Sequence, residues 1–334
     1  MVLLSICEKG GPLLVNTGLR WNRNKQRTRQ RVMIDLFDDR DTMNLCIIGN
    51  GFDIHHDLEA QYSDFREYLI HHGKMDYVMQ LESFFQTEYK DKKGKRQFLL
   101  WSNLEAAIGN YDLEALYHEL TDWIEIDEDH MMQTAAQIED SPNDFLAPVV
   151  DDLPDLMKEW ISSINLYGVE TDVVFPKPSR FLSFNYTRLL ENAYHIPEES
   201  ILHIHGVIGG PDKLDVGHRV KANESDAYDE NAPIYQEDSK INIIRIMNKC
   251  RKPTEDIIAR NWHFFQSLHD ITDVYVYGHS YSMVDKDYYE EIQKNVSTDT
   301  KWHLGCHNEV DRDAAELLMH ELGVRLENWG RFEF

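Results

Sequence analysis

Four short segments carry the residue types that could do chemistry. His203-Ile204-His205-Gly206 puts two imidazoles on one side of an extended chain, because side chains alternate with period two. Imidazole suits proton transfer near neutral pH, so His205, next to the permissive Gly206, reads as a general base. His203 reads more simply as a core or supporting histidine. Asn185, within Ser183-Phe184-Asn185-Tyr186-Thr187, has an amide that donates and accepts together. It could hold a sugar hydroxyl and a water, although a turn or a helix cap is the plainer use of such a residue. Gly49-Asn50-Gly51-Phe52-Asp53 would let the backbone approach a phosphate and aim helix N–H groups at it. The segment lacks the third Gly of a dinucleotide fingerprint and reads equally well as an ordinary strand–helix turn. Asp53 is a candidate for a helix cap or for a ribose hydroxyl.

The fourth segment, Gly278-His279-Ser280, could cradle a phosphate or nucleoside, and Asp285 behind it caps a helix through Tyr288, Tyr289 and Ile292. It is not a nucleophile elbow, since that motif needs Gly where Ser282 stands. Glu105, in Trp101-Ser102-Asn103-Leu104-Glu105, is a further candidate acid, though a solvated helix carboxylate is the simpler reading. No metal site is expected. Cys7, Cys46, Cys250 and Cys306 are isolated from one another, and no carboxylate or third histidine accompanies His203 and His205.

The elements that must position these groups are apolar runs ending at each motif. Leu45 to Ile48 is a continuous apolar run, as expected of a strand covered on both faces. Arg180 to Phe184, Ile201 to His205 and Val274 to Tyr277 are three more, and Trp302-His303-Leu304 reads as the last short strand. Helical periodicity fills about 62–168, with Ser141-Pro142-Asn143-Asp144 as a turn inside it. The segment 209–238 is loop-like, 241–265 reads as helical, and an amphipathic helix runs near 311–322. Strands separated by helices predict a Rossmann-like, open, mainly parallel α/β sheet flanked by helices, with a large helical insertion after the first strand. In such a sheet ligands bind beyond the carboxyl ends of the strands, where the four motifs would meet if their strands are neighbours.

Composition sets the outer limits. The chain has 334 residues, 42 % of them hydrophobic, with a formal charge of −25. Such a charge disfavours broad binding to nucleic-acid backbones. No apolar run approaches the roughly 18 residues needed to span a bilayer, and no secretion signal is evident. A cytoplasmic location is expected. Residues 1–42 differ from the rest, with eight basic residues against five acids, whereas the remainder has 26 against 54. They read as a disordered segment or as an upstream extension before Met43, with residues 43–334 forming a single α/β domain.

Taken together the motifs resemble the AbiH family of bacterial abortive-infection proteins. Ile48 to Asp53, Tyr62-Ser63-Asp64-Phe65, Trp101 with Glu105, Phe184 to Thr187, His203 to Gly206, and Gly278-His279-Ser280 with Asp285 occur in that family's order. A more distant resemblance is to sirtuin-like NAD-binding domains. It implies that Gly49, Asn50, Gly51, Gly278 and Ser280 bind a nucleotide, with Asn185 and His205 catalytic; Asp53, Gly206, His279 and Asp285 join the expected nucleotide site from their own motifs at the same strand ends. Asn50 replaces a small residue of that pattern, Thr187 stands where Asp is common, and the zinc cysteines of deacylases are missing.

These resemblances imply an anti-phage effector that binds and hydrolyses NAD, or a related nucleotide, at the nicotinamide–ribose bond. NAD would be the substrate, with no cofactor. A phage-derived trigger and a homo-oligomer stay open as partners. The alternatives are a metal-dependent nuclease or phosphodiesterase using Asp53 and Glu105, and a sensor of a nucleotide or phage protein without turnover. The break in composition makes one prediction: deleting residues 1–42 should leave the melting temperature unchanged, and a large drop in a thermal scan would refute the boundary.

Overall fold

The computed structural model describes residues 43–86, 88–90, 96–211 and 213–334; residues 1–42, and the expectation attached to them, lie outside it. The chain opens with β1 (Met43–Ile48) and a short helix α1 (Asn50–His55). A helical block follows: α2 (Tyr62–His71), α3 (Met75–Phe85), a small hairpin of β2 (Glu88–Lys90) and β3 (Arg96–Phe98), α4 (Leu104–Gly109), α5 (Leu113–Thr121), α6 (Met131–Ser141) and α7 (Ala147–Ser163). The chain then returns as β4 (Ser179–Ser183), α8 (Leu189–Asn192) and β5 (Ile201–His203). Next come α9 (Ile234–Lys249), α10 (Thr254–Arg260) and α11 (Trp262–Gln266). The chain ends as β6 (Ile271–Tyr277), α12 (Lys286–Asn295), β7 (Lys301–Cys306), α13 (Glu309–Glu321) and β8 (Trp329–Glu333).

Six of these strands form one sheet in the order β5-β4-β1-β6-β7-β8, and every pairing is parallel. This is the expected open, helix-flanked sheet, with the helical block inserted after its first strand. Its apolar runs follow from burial on both faces. Along β1, Leu45 and Ile47 join the core under α12 and α13, while Cys46 and Ile48 join a second core with Phe52, Phe181 and Tyr277. The inserted helices carry a third core, built on Phe65, Leu69, Leu81, Leu104, Leu153 and Trp160, to which α9 adds Ile243 and Met247. Among the described residues no helix is long and apolar enough to cross a membrane.

Three sequence expectations need correction. Trp302-His303-Leu304 is not the last strand, because β8 pairs along β7 from Trp302 to Cys306. Its sequence, Trp-Gly-Arg-Phe-Glu, is half exposed at the sheet edge and lacks an apolar run. The segment 141–144 is not a turn that leaves the helix. Pro142 opens one wide helical turn, Pro142–Leu146, that leads from α6 into α7. A proline is tolerated at the start of such a turn, where its missing N–H is not needed. The stretch 241–265 is three helices, the first already begun at Ile234. Its break at Cys250–Pro253 is held by Cys250 O accepting from His218 N at 3.2 Å and by Lys252 N donating to His218 O at 2.8 Å.

The order places a topological switch point between β1 and β6, whose following segments lead to opposite faces. Here two backbones touch. Gly49 N donates to Tyr277 O at 2.9 Å and Gly51 N to Gly278 O at 2.7 Å. Gly278 has φ +62°, and a Cβ on it would lie 2.1 Å from Phe52 N. By contrast, Gly323 has φ +67° and open space around it. Gly323→Ala should therefore cost only the left-handed backbone penalty, about 1–2 kcal/mol. Gly278→Ala should cost about 3 kcal/mol or more, because the clash adds to that penalty. Urea denaturation of the two variants checks this, and equal losses would show that the close approach does not matter.

Candidate functional site

The four expected motifs leave the sheet at adjacent strands, β5, β4, β1 and β6, so they converge at one edge. There they border a cavity of about 990 Å³. Its floor is the strand ends and its far wall comes from the inserted helices, through Tyr62, Trp101, Glu105, Met157 and Trp160. Trp101 is pinned by its Nε1 donating to Glu82 Oε1 at 2.8 Å, and Arg66 Nε reaches the same oxygen at 2.7 Å. Glu105 sits in the first turn of α4, which Asn103 caps by accepting from Ala106 N at 3.0 Å.

Asp53 joins the ends of β1 and β4. Its Oδ1 accepts from Asn185 Nδ2 at 2.9 Å and its Oδ2 accepts from the Thr187 hydroxyl at 2.7 Å. Asn185 Nδ2 also donates to Gly49 O at 3.1 Å. Burial pushes the Asp53 carboxyl up to about 6, against the opposing hydrogen bonds from Thr187 and Asn185. The Asn185 side chain is therefore locked through its nitrogen, and its Oδ1 is buried in the cavity wall without a partner.

A second group crosses from the insertion to the sheet. Lys252 Nζ lies 2.7 Å from Glu105 Oε1 and donates to Oε2 at 2.8 Å. Gly217 N–H also reaches Glu105. Lys252 further approaches His205 Nδ1 at 3.4 Å, and His205 Nε2 lies 3.2 Å from the Tyr288 hydroxyl. Burial works against the Lys252 charge, but Glu105 and Asp285 outweigh it and hold the ammonium protonated. Burial pushes Glu105 up, opposed by Lys252. Burial and then the Lys252 charge drive His205 well below the usual imidazole range. Because Lys252 can only donate, His205 Nδ1 accepts, and the ring proton sits on Nε2 facing Tyr288.

A third pair sits after β6. His279 Nδ1 accepts from Tyr281 N at 2.9 Å, so its proton is on Nε2, which faces Asp285 Oδ2 at 3.2 Å. Tyr281 holds φ +54°, unusual for a bulky residue, and is secured by its hydroxyl donating to Gly305 O at 2.8 Å. The ring of Phe184 meets both His205 and His279 edge-on, with centroids 5.5 and 4.9 Å away. Burial alone would raise the Asp285 carboxyl, but the His279 hydrogen bond and the Lys252 charge hold it at about 2. Its Oδ1 is buried and has no partner, like Asn185 Oδ1; Glu105 Oε1, though near Lys252, also receives no aligned donor.

Of the expected site residues, Gly49, Asn50, Gly51, Asp53, Glu105, Asn185, His205, Gly278, His279, Ser280 and Asp285 line the cavity. His203 and Gly206 do not. His203 Nε2 pairs with Glu191 Oε1 at 3.1 Å and its Nδ1 lies 3.3 Å from Asn185 O, which is a supporting position. Gly206 turns the chain with φ +82° under the backbone of Lys213, so its freedom serves that turn and not the passage of a ligand. The expected phosphate cradle is also altered, because the N–H groups of Gly49 and Gly51 are spent on β6 and the Asn50 side chain donates to Ala60 O at 2.7 Å. Asp53 does not cap α1, and neither does any other side chain. His205 has both nitrogens beside partners, Lys252 and Tyr288, and burial lowers its affinity for protons. Sequence reasoning missed Lys252 and Tyr288. The only trace of Lys252 was Pro253 after it, which breaks the helical stretch.

Among the described residues no three His, Cys, Asp or Glu side chains converge as metal ligands. The family model described as bacteriophage abortive infection AbiH matches residues 45–305. No curated protein and no solved structure matches the chain. The sirtuin-like resemblance is not carried by these comparisons.

The Asp53 bridge has a measurable signature. Its folded value of about 6 lies above the ordinary 3.8, so the folded state holds this proton more tightly than the unfolded chain. Wild-type stability from this group therefore rises as pH falls through 6 towards 4 and is lost as pH rises back through 6. Asp53→Asn should cost roughly 2 kcal/mol at neutral pH by leaving a buried donor unmatched. The gap between the two proteins should widen between pH 6 and pH 4 in denaturation curves. A gap that stays constant over that window would disprove the assignment.

Proposed function

Because the chain belongs to the AbiH family of bacteriophage abortive infection proteins, we propose that its anti-phage role is carried by cleavage of the nicotinamide–ribose bond of NAD or a related nucleotide. The supporting observation is a set of buried acceptor groups around one cavity, Asn185 Oδ1 and Asp285 Oδ1 without partners at the strand ends and the Lys252-paired Glu105 on the far wall. Such a lining suits sugar hydroxyls, a water, and the positive charge that develops on a ribose as its glycosidic bond breaks.

In this reading Asp285, ionised at all ordinary pH values, stabilises charge at the anomeric carbon. Glu105, the carboxylate that burial pushes up, takes the proton of the attacking water. Two carboxyl groups whose environments push them apart are a recognisable division of labour between electrostatic stabiliser and proton acceptor. Asn185 Oδ1 accepts from a ribose hydroxyl or from the water. The water oxygen bonds to the anomeric carbon, the carbon–nitrogen bond breaks with its electron pair left on the nicotinamide, and one proton goes to Glu105. His205 acts as a positioning residue between Lys252 and Tyr288. Ser280 and Ser282, on the same wall, offer hydroxyls to the diphosphate.

The metal-dependent phosphodiester reading has less support. Both oxygens of Asp53 accept from side chains and Glu105 is paired with Lys252, so neither carboxylate is open in the way a metal ligand needs.

The test is to follow NAD and nicotinamide in cells during phage challenge, with wild type and single variants. Glu105→Gln and Asn185→Ala should each cut NAD loss by about 10²–10⁴-fold, the usual contribution of a proton-transfer group or a positioned donor–acceptor. His203→Ala should be milder, since His203 lies off the cavity. Growth arrest with NAD constant in the wild type would sink the proposal.

A further inference from the structure

The ionisable side chains around the cavity are unbalanced. Asp53, Asp57, Glu105, Asp285, Asp311 and Glu333 face it, and Lys252 is the one Lys or Arg among the described lining residues. Lys252 is not free for a ligand, since Glu105 and His205 hold its ammonium. Asp53 is also internally satisfied. What remains open is an ionised carboxylate oxygen, Asp285 Oδ1, with the neutral acceptor Asn185 Oδ1; both oxygens of Glu105 lie against the Lys252 ammonium. Asn185 is 5 % exposed and lines the cavity. A ligand that brings donors or a positive charge satisfies these groups, whereas a neutral apolar ring placed against them does not.

We infer that the site selects N-glycosides whose base is a cation, so that it takes the pyridinium form of a nicotinamide nucleotide and rejects its reduced, uncharged dihydropyridine form. The inference rests on the glycosidase reading above and adds a criterion to it. An ionised carboxylate partly removed from water discriminates by charge at short range, because the lowered dielectric strengthens the attraction to a cation and gives nothing to a neutral ring of the same shape. The low value of the Asp285 carboxyl is consistent with this, since it keeps the anion present throughout the working pH range. Diphosphate and adenosine are common to both redox forms, so any repulsion they meet from the acidic wall cancels in the comparison.

The experiment is calorimetric titration of the full chain with carba-NAD, whose carbocyclic ribose resists hydrolysis, and with its reduced form. The oxidised form should bind at least about tenfold more tightly, as expected for a short-range charge contact at a partly buried site. In Asp285→Asn the preference should shrink towards parity. The wild-type comparison stands on its own should that variant fold poorly. Equal affinity for the two forms in the wild type would overturn the charge criterion and leave the glycosidase reading intact. Binding of neither form, with the protein folded, would overturn the NAD reading itself and the inference with it.

Discussion

The contact between two glycine turns sets the rest of the site. Gly51 N meets Gly278 O at 2.7 Å, a separation of main chains that leaves no room for a Cβ on Gly49, Gly51 or Gly278. That contact directs α1 away from β1 and so delivers Asp53 to Asn185 and Thr187. On the other side it fixes the start of the segment that carries His279 and Asp285. Glycine is needed here for packing of backbone on backbone, and the N–H groups of Gly49 and Gly51 are consumed in making it. The chemistry of the cavity is consequently a chemistry of side chains.

The pair of Glu105 and Lys252 joins parts that are far apart in sequence. Both groups are largely buried, and desolvation of two such charges is expensive. A buried ion pair is therefore poor evidence of added stability, but removal of one partner leaves the other charge stranded. The surrounding contacts fit a positional role. The pair holds a helix of the insertion against His205 at a strand end, and through His205 it reaches Tyr288 on α12.

Much of this was legible in the residues themselves. Each of the four motifs follows an apolar run, and the rule that ligands gather at carboxyl ends of parallel strands was enough to bring Asp53, Asn185, His205 and Asp285 together. Lys252 was not legible, because it lies in a polar break between helices and meets Glu105 only through the fold, across 147 positions. Without it His205 is seen only as a histidine beside a glycine. The fold adds its neighbours, an ammonium at one nitrogen and a phenol at the other. The edge strand β8 escaped for a different reason: three of its five residues, Gly330, Arg331 and Glu333, are exposed, and no apolar run marks it.

The inserted helices leave the sheet after β1 and return as β4, and these two strands are hydrogen-bonded neighbours from Asn44 with Ser179 to Ile48 with Ser183. The sheet thus closes its register without any help from what lies between. The insertion also has an apolar interior largely of its own, shared with α9. Natural variation can then rework this segment in length and surface while the strand ends beneath it keep their geometry. The one tether that such reworking must keep is Glu105, which Lys252 ties to the strand ends, much as a lock's wards can be recut so long as the pin that meets the bolt stays in place.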